Sequence, residues 1–368
     1  MDFCQKSCLY IEYLYKTWLG NVIFGNISFD QVHSYGKIRL IDLYIFMKGW
    51  KLAVNLPTLK IGKIVVPLPI IQGGMAIRIS NGNLAGAVAR AGGIGVIAGT
   101  ALSEEELIKE INLAKEISQG SGAIGVNVLF AASNFAKLIR TAMRAGVDIA
   151  FSGAGFSRDI FQWGKEFNVP VISLVSSSRV ARLAERLGAA AVVVESKEAG
   201  GHLGTDKPLK EILADIVGSV KIPVIAAGGI MNGKDIKWAL QQGASGVQMG
   251  TRFAASDESG ASEGFKNAYL AAKENDSIII ESPVGLPGRA IRTIFTERLA
   301  AGDLEKTVCD KCLKKCNHRF CIRVALESAQ KGVMQNGLVF AGEKVDQIKE
   351  ILPVSKIINN LIKEYQQA

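Results

Sequence analysis

The chain has 368 residues, 48% of them hydrophobic and 21% charged, with a formal net charge of +9. That balance excludes a disordered chain and leaves ample length for one large core with attachments. Lys and Arg are scattered along amphipathic patterns with no aromatic-interleaved basic stripe, which argues against nucleic acid as a partner. No run of about 18 uncharged apolar residues marks a membrane span.

In chain order, the stretch from Met1 to Trp50 is aromatic-rich and shows no turn or strand rhythm. It lacks the basic start, apolar stretch and small-residue cleavage site of a signal peptide, so a cytoplasmic location is expected. Residues 1–46 read as an upstream extension or a poorly ordered arm, and the first patterned segment follows Met47. From Pro67 onward one unit recurs: a short apolar strand, a loop bearing Gly or Ser, then an amphipathic helix. The strands are expected at Pro69–Gln72, Gly95–Ala98, Ala123–Leu129, Asp148–Ser152, Val171–Val175, Ala191–Glu195, Val224–Ala227 and Gly246–Met249. Helical patterns such as Glu104–Ile117 and Ser178–Leu187 lie between them. Val- and Ile-rich runs with little alternation are buried on both faces, as in parallel sheets. Eight such units predict a closed α/β barrel over 47–253, with a doubly wound open sheet as the alternative. Beyond Phe253 the rhythm breaks. Ala254–Lys273 reads as helical, Pro283–Gly288 as a turn-rich loop and Ile348–Tyr365 as helical. Residues 254–368 are therefore expected to form a mainly helical cap over the barrel mouth.

In such a barrel, chemistry sits where strands end. The first strand ends in Gln72-Gly73-Gly74-Met75. Paired glycines let backbone approach a planar ring, and Gln can bond a ring edge; a tight turn would use the same residues. Asn127 interrupts an apolar strand and needs a polar partner. Strands seven and eight end in Ala226-Ala227-Gly228-Gly229-Ile230 and Gln248-Met249-Gly250-Thr251-Arg252. Glycine-bearing turns in those two positions form a phosphate cradle in many barrels, with Thr251 adding a hydroxyl and the following helix start its dipole; plain turns are the alternative. The sixth strand runs into Glu195-Ser196-Lys197-Glu198-Ala199-Gly200-Gly201-His202-Leu203-Gly204. Glycines beside His202 leave its imidazole open at a strand-to-helix loop, a setting suited to proton exchange. His33 and His318 lack such a setting.

These motifs occur together and in order: Pro-Ile-Ile-Gln-Gly-Gly-Met (69–75), Gly-Val-Asn (125–127), Glu-Ala-Gly-Gly-His (198–202), Ala-Ala-Gly-Gly-Ile (226–230) and Gln-Met-Gly-Thr-Arg-Phe (248–253). The stretch from Pro67 to Phe253 thereby resembles the nitronate monooxygenase (2-nitropropane dioxygenase) family and the related flavin-dependent enoyl-acyl-carrier-protein reductases. Weaker similarity continues through Gly288–Ile291 and Gly337–Gly342. The resemblance implies a (β/α)8 TIM barrel holding FMN. Gln72, Gly73, Gly74, Met75 and Asn127 would contact the flavin ring, with Gly201 also beside the cofactor. Gly228, Gly229, Gly250 and Thr251 would hold the phosphate, and His202 would be the active-site histidine. The implied reaction is oxidation of alkyl nitronates to a carbonyl compound and nitrite with molecular oxygen. Many nitronate monooxygenases carry Arg after this histidine, whereas Leu203 is closer to the reductase pattern. The alternative is therefore NAD(P)H-dependent reduction of an enoyl thioester or quinone, for which the +9 charge would suit an acidic carrier protein. No Gly-x-Gly-x-x-Gly run follows a strand, so no separate dinucleotide domain is expected. An enzyme related to inosine monophosphate dehydrogenase would need a nucleophilic Cys after strand six, and none is there.

Cys309, Cys312, Cys316 and Cys321 are spaced Cys-x2-Cys-x3-Cys-x4-Cys. Four thiolates this close could ligate zinc or an iron–sulfur cluster, while reduced surface thiols are the plain alternative. The spacing resembles the cluster run of flavoenzymes of the 2,4-dienoyl-CoA reductase type, and a cluster would imply external electron delivery. A small-molecule substrate and a homodimer are the expected partners.

Overall fold

A computed structural model describes residues 56–153, 155–304 and 308–368. The extension expected over 1–46, with Cys4, Cys8 and His33, lies outside the described residues. The eight expected strands are present as β3 (Ile70–Gln72), β4 (Ile94–Ala98), β5 (Ala123–Leu129), β6 (Ile149–Gly153), β7 (Val171–Val175), β8 (Ala191–Glu195), β10 (Val224–Ala227) and β11 (Gly246–Met249). They close into a barrel in the order β10-β11-β3-β4-β5-β6-β7-β8, every pairing parallel. The closed register settles the choice between barrel and open sheet, and the fold is a (β/α)8 TIM barrel.

The helices that return each strand are α1 (Gly82–Arg90), α2 (Glu104–Ser118), α3 (Phe135–Arg144), α4 (Asp159–Phe167), α5 (Ser178–Leu187), α6 (Leu209–Ser219) and α7 (Gly233–Gln241). Their starts are written locally. Ser103 accepts from Glu106 N while the Glu106 carboxylate reaches back to Ser103 N, a capping box that opens α2. Inside the barrel, Ile71, Ile94, Val96, Ile149, Phe151, Ile172, Val193 and Ile225 pack into one core. An N-terminal hairpin, β1 (Leu59–Ile61) with β2 (Ile64–Val66), adds Leu59, Ile61 and Val66 to that core. Residues that this end had left without a sequence signal therefore plug the barrel floor.

One expectation for the cap needs correction. The helix expected over Ala254–Lys273 is interrupted: α8 (Thr251–Ala254) stops, and α9 (Glu263–Ala271) begins after Ser262. Hydroxyls make the break, because Ser256 Oγ donates to Phe253 O at 2.7 Å and Ser259 Oγ to Ala254 O at 2.8 Å. Ser262 Oγ then caps α9 by accepting from Phe265 N. The cap is mainly helical, as expected, with a small sheet at its centre. It carries an antiparallel sheet of β12 (Ser277–Glu281), β13 (Pro287–Ile291) and the two-residue β9 (Gly201–His202). Helices α10 (Ile294–Ala301), α11 (Ile322–Gln330) and α12 (Val354–Gln367) complete it. The turn-rich loop expected at Pro283–Gly288 is the connection of that β12–β13 hairpin.

Helix α1 lies so close to the barrel that β4 can carry no side chain at Gly95. An added Cβ there would overlap the backbone of Ala85. Gly95→Ala should therefore lower the unfolding free energy by about 1–3 kcal/mol. Urea denaturation would show this as a reduced midpoint with an unchanged slope.

Candidate active site

Side chains alternate along a strand, so each barrel strand presents one residue inward at its carboxyl end. Here those residues are Gly73, Ala98, Asn127, Gly153, Leu174, Glu195, Ala227 and Gln248, and all eight line one cavity of about 740 Å3. Glycine and alanine fill half of the ring, which is why a cavity exists rather than another core layer. Of the eight, Glu195 alone is ionisable. Neither Glu195 nor Gln248 was assigned a role from sequence; the signal that could have found them was strand parity.

The cap supplies the opposite wall. His202 does not sit in a free loop, as the glycines suggested. It is a strand residue, paired with Gly288 of β13, and Leu203 N donates to Pro287 O at 2.8 Å. Its Nε2 lies 2.8 Å from Ser282 Oγ. Ser282 Oγ also accepts from Val284 N at 3.4 Å, which fixes the hydroxyl beside the imidazole. The Phe340 ring stands edge-on to His202 with centroids 5.3 Å apart. Phe340 is held in turn by Tyr269, whose hydroxyl donates to the Phe340 carbonyl at 2.6 Å. Buried Arg289 ties the loop before His202 to the cap, donating to Lys197 O at 3.0 Å and Ser277 Oγ at 3.1 Å.

Desolvation sets the charge of the site. Burial pulls the His202 imidazole down to about 4, so it is neutral at physiological pH. Burial pushes the Glu195 carboxyl up to about 7. What remains accessible of both side chains faces the cavity.

The sequence-assigned residues Gly73, Gly74, Met75, Asn127, Gly201, His202, Gly228, Gly229, Gly250 and Thr251 all converge on this cavity. Gln72 does not. Its amide is spent inside the protein: Nε2 donates to Ser80 Oγ, Val96 O and Gly73 O, and Oε1 accepts from Val96 N. Gln72 is fully buried and fixes the Gly73–Ser80 loop rather than meeting a ligand. Gly228 and Gly229 have φ of +101° and +71°, and a Cβ at Gly228 would strike Ser196 Oγ.

The cysteine run is also corrected. Cys309, Cys312, Cys316 and Cys321 are free thiols, and among the described residues no group of three or more His, Cys, Asp or Glu is placed to hold a metal. The segment is laid out instead by backbone pairing with the loop after β5. Ser133 N donates to Cys312 O, Lys314 N donates to Ala131 O, and Leu313 bridges Ala132. Burial, reinforced by Asp310, pushes the Cys312 thiol up to about 11. Cys312 and Leu313 form part of the cavity wall.

A barrel with a glycine-built anion cradle facing a neutral histidine across an enclosed cavity belongs among the cofactor-dependent barrel enzymes. The family described as nitronate monooxygenase matches residues 57–144 and 128–364. The chain belongs to that family. It is 32% identical over 237 residues to a (3aS,4S,5R,7aS)-5-hydroxy-7a-methyl-1-oxo-octahydro-1H-indene-4-carboxyl-CoA dehydrogenase of Mycobacterium tuberculosis, a match covering 64% of this chain and 66% of that protein's length. FabK of Thermotoga maritima superposes with a TM-score of 0.73 at 32% identity, over 82% of this chain and 94% of FabK. A nitroalkane oxidase of Streptomyces ansochromogenes gives a TM-score of 0.71 at 25% identity, over 82% of this chain and 96% of that one.

The residues present fit a flavin. Asn127 Oδ1 is buried without a partner among the described residues. The backbone N–H groups of Gly228, Gly229, Gly250 and Thr251 likewise meet no protein acceptor among the described residues. At Gly74 a Cβ would collide with Asn127, so a flat approach surface requires glycine there.

Glu195 gives this site a pH signature. Its folded pKa is raised above the unfolded value, so its contribution to stability is complete below about 4.5 and is lost as pH rises through about 7. Glu195→Gln removes the buried charge. The variant should match wild type in stability near pH 4 and exceed it at pH 8, which chemical denaturation across that range would reveal.

Proposed function

We propose that this chain is an FMN-dependent oxidoreductase that converts alkyl nitronates to a carbonyl compound and nitrite, with molecular oxygen as the oxidant. The observation that carries the reading is the neutral His202 on the same enclosed cavity as the glycine cradle. FMN, when bound, supplies the electron transfer between substrate and oxidant. Gly73, Gly74, Met75 and Asn127 would hold the ring, and Gly228, Gly229, Gly250 and Thr251 the phosphate. His202, with Nε2 engaged by Ser282, offers Nδ1–H to a nitronate oxygen. A neutral donor orients that anion without the tight ground-state ion pair that would slow product release. When a neutral nitroalkane binds instead, the other tautomer, with Nε2–H donated to Ser282 Oγ, would leave Nδ1 free to take up its α-proton. Phe340 and Tyr269 hold the imidazole in place, and the cap keeps water from the reacting atoms.

The second reading, reduction of an enoyl thioester or quinone by NAD(P)H, is favoured by the cavity wall. Ile77, Leu102, Leu129, Leu313, Ile322 and Leu326 make it apolar well beyond what a small nitronate needs. The +9 net charge would draw in an acidic carrier. Leu203 does not decide between the two, because it is buried and stands outside the cavity lining.

Anaerobic titration separates them. The flavin absorbance should bleach with propyl-2-nitronate and return with oxygen as nitrite is released. Bleaching by NADH with no response to the nitronate would contradict the nitronate reading and establish the reductive one. With whichever substrate is active, His202→Ala should lower kcat by about a hundredfold. An unchanged kcat would remove His202 from the chemistry.

A further inference from the structure

The cradle at the ends of β10 and β11 poses an electrostatic problem. A phosphate there would ordinarily lean on the start of the helix that follows β10. In this chain that helix start is already occupied by carboxylates. Met231 N donates to Asp235 Oδ2 at 2.8 Å, and Gly233 N donates to Glu364 Oε2 of α12 at 2.8 Å. Asp235 N is satisfied by the Asn232 side chain at 3.0 Å. Helix α8, after β11, has four residues and adds little dipole. Backbone N–H groups of Gly228, Gly229, Gly250 and Thr251 remain for hydrogen bonding, but two negative side chains stand behind them. Both carboxylates oppose a phosphate dianion at the cradle.

The cap brings a cation. The segment 342–344 is seated on the cradle: Gly342 N donates to Thr251 Oγ1 at 2.9 Å. Two residues on, Lys344 Nζ donates to Gly229 O at 2.7 Å and lies 3.3 Å from Asp235 Oδ1. The side chain is 37% exposed and lines the same cavity as the four backbone donors. An ammonium has three N–H groups, and those two contacts leave one for a ligand. Thr251, which accepts from Gly342, keeps its own hydroxyl proton to donate. We infer that Lys344 is the charge partner of the FMN phosphate: a cap residue that completes the barrel's anion cradle and ties cap closure to cofactor binding.

The inference rests on the FMN reading above, and one comparison tests both separately. Riboflavin shares the ring of FMN and lacks the phosphate. Full-length protein freed of flavin would be titrated with FMN and with riboflavin, following quenching of flavin fluorescence, for wild type, Lys344→Met and Lys344→Arg. Lys344→Met should weaken FMN roughly 10- to 100-fold and leave riboflavin within about twofold, since a hydrogen bond to a charged group is lost only with the phosphate. Lys344→Arg should recover most of the loss, and added salt should weaken FMN less in Lys344→Met than in wild type. Riboflavin also serves as the folding control. Equal weakening of both ligands would make Lys344 a clamp between cap and barrel and overturn the inference, as would unchanged FMN affinity. A wild-type protein that takes up neither flavin would fail the FMN reading itself, and this inference with it.

Discussion

Everything at the site depends on the near absence of side-chain volume where the barrel strands end. Gly73, Ala98, Gly153 and Ala227 contribute almost nothing above the last core layer, while Phe151, Ile172 and Val193 fill the layer below. A barrel of eight strands is just wide enough for side chains to fill it. Removing them from one layer at one end produces an enclosed space without loosening the rest. The same economy explains Gly74, where any Cβ would meet Asn127, and Gly228, where it would meet Ser196. A ligand's flat surface takes the place of the missing atoms.

The cap turns that space into a chemical site. It contributes the strand pairing that fixes His202, the serine hydrogen-bonded to its Nε2 and the phenylalanine against its ring. Burial shifts two of the ionisable groups that line this cavity in opposite senses. His202 is driven to its neutral form, and Glu195 is drawn toward its own. Both shifts have the same cause, desolvation of the charged form.

The barrel was legible because its signals are local. Most strands are short Val- and Ile-rich runs followed by Gly or Ser, and β5, β7, β8, β10 and β11 match their expected limits residue for residue. The site motifs were legible for the same reason, since strand-end glycines stand next to the runs they terminate. What escaped depends on partners distant in sequence. The two residues of β9 are too short for any periodic pattern and become a strand only against β13, about 85 positions later. The hairpin β12–β13 is masked by Pro and Gly at its turn. Gln72 stands beside the site glycines, yet Ser80 and Val96 claim its amide. The cysteine spacing suggested a chelate, whereas pairing with residues 131–133 sets the path of that segment.

The central claim is that the emptied barrel mouth holds FMN. The most direct test is the flavin content of the purified protein: its visible absorption spectrum, and the identity and amount of flavin released on denaturation. The account predicts one FMN per chain, recoverable by reconstitution when it has been lost. A colourless protein that cannot be loaded with FMN would contradict it.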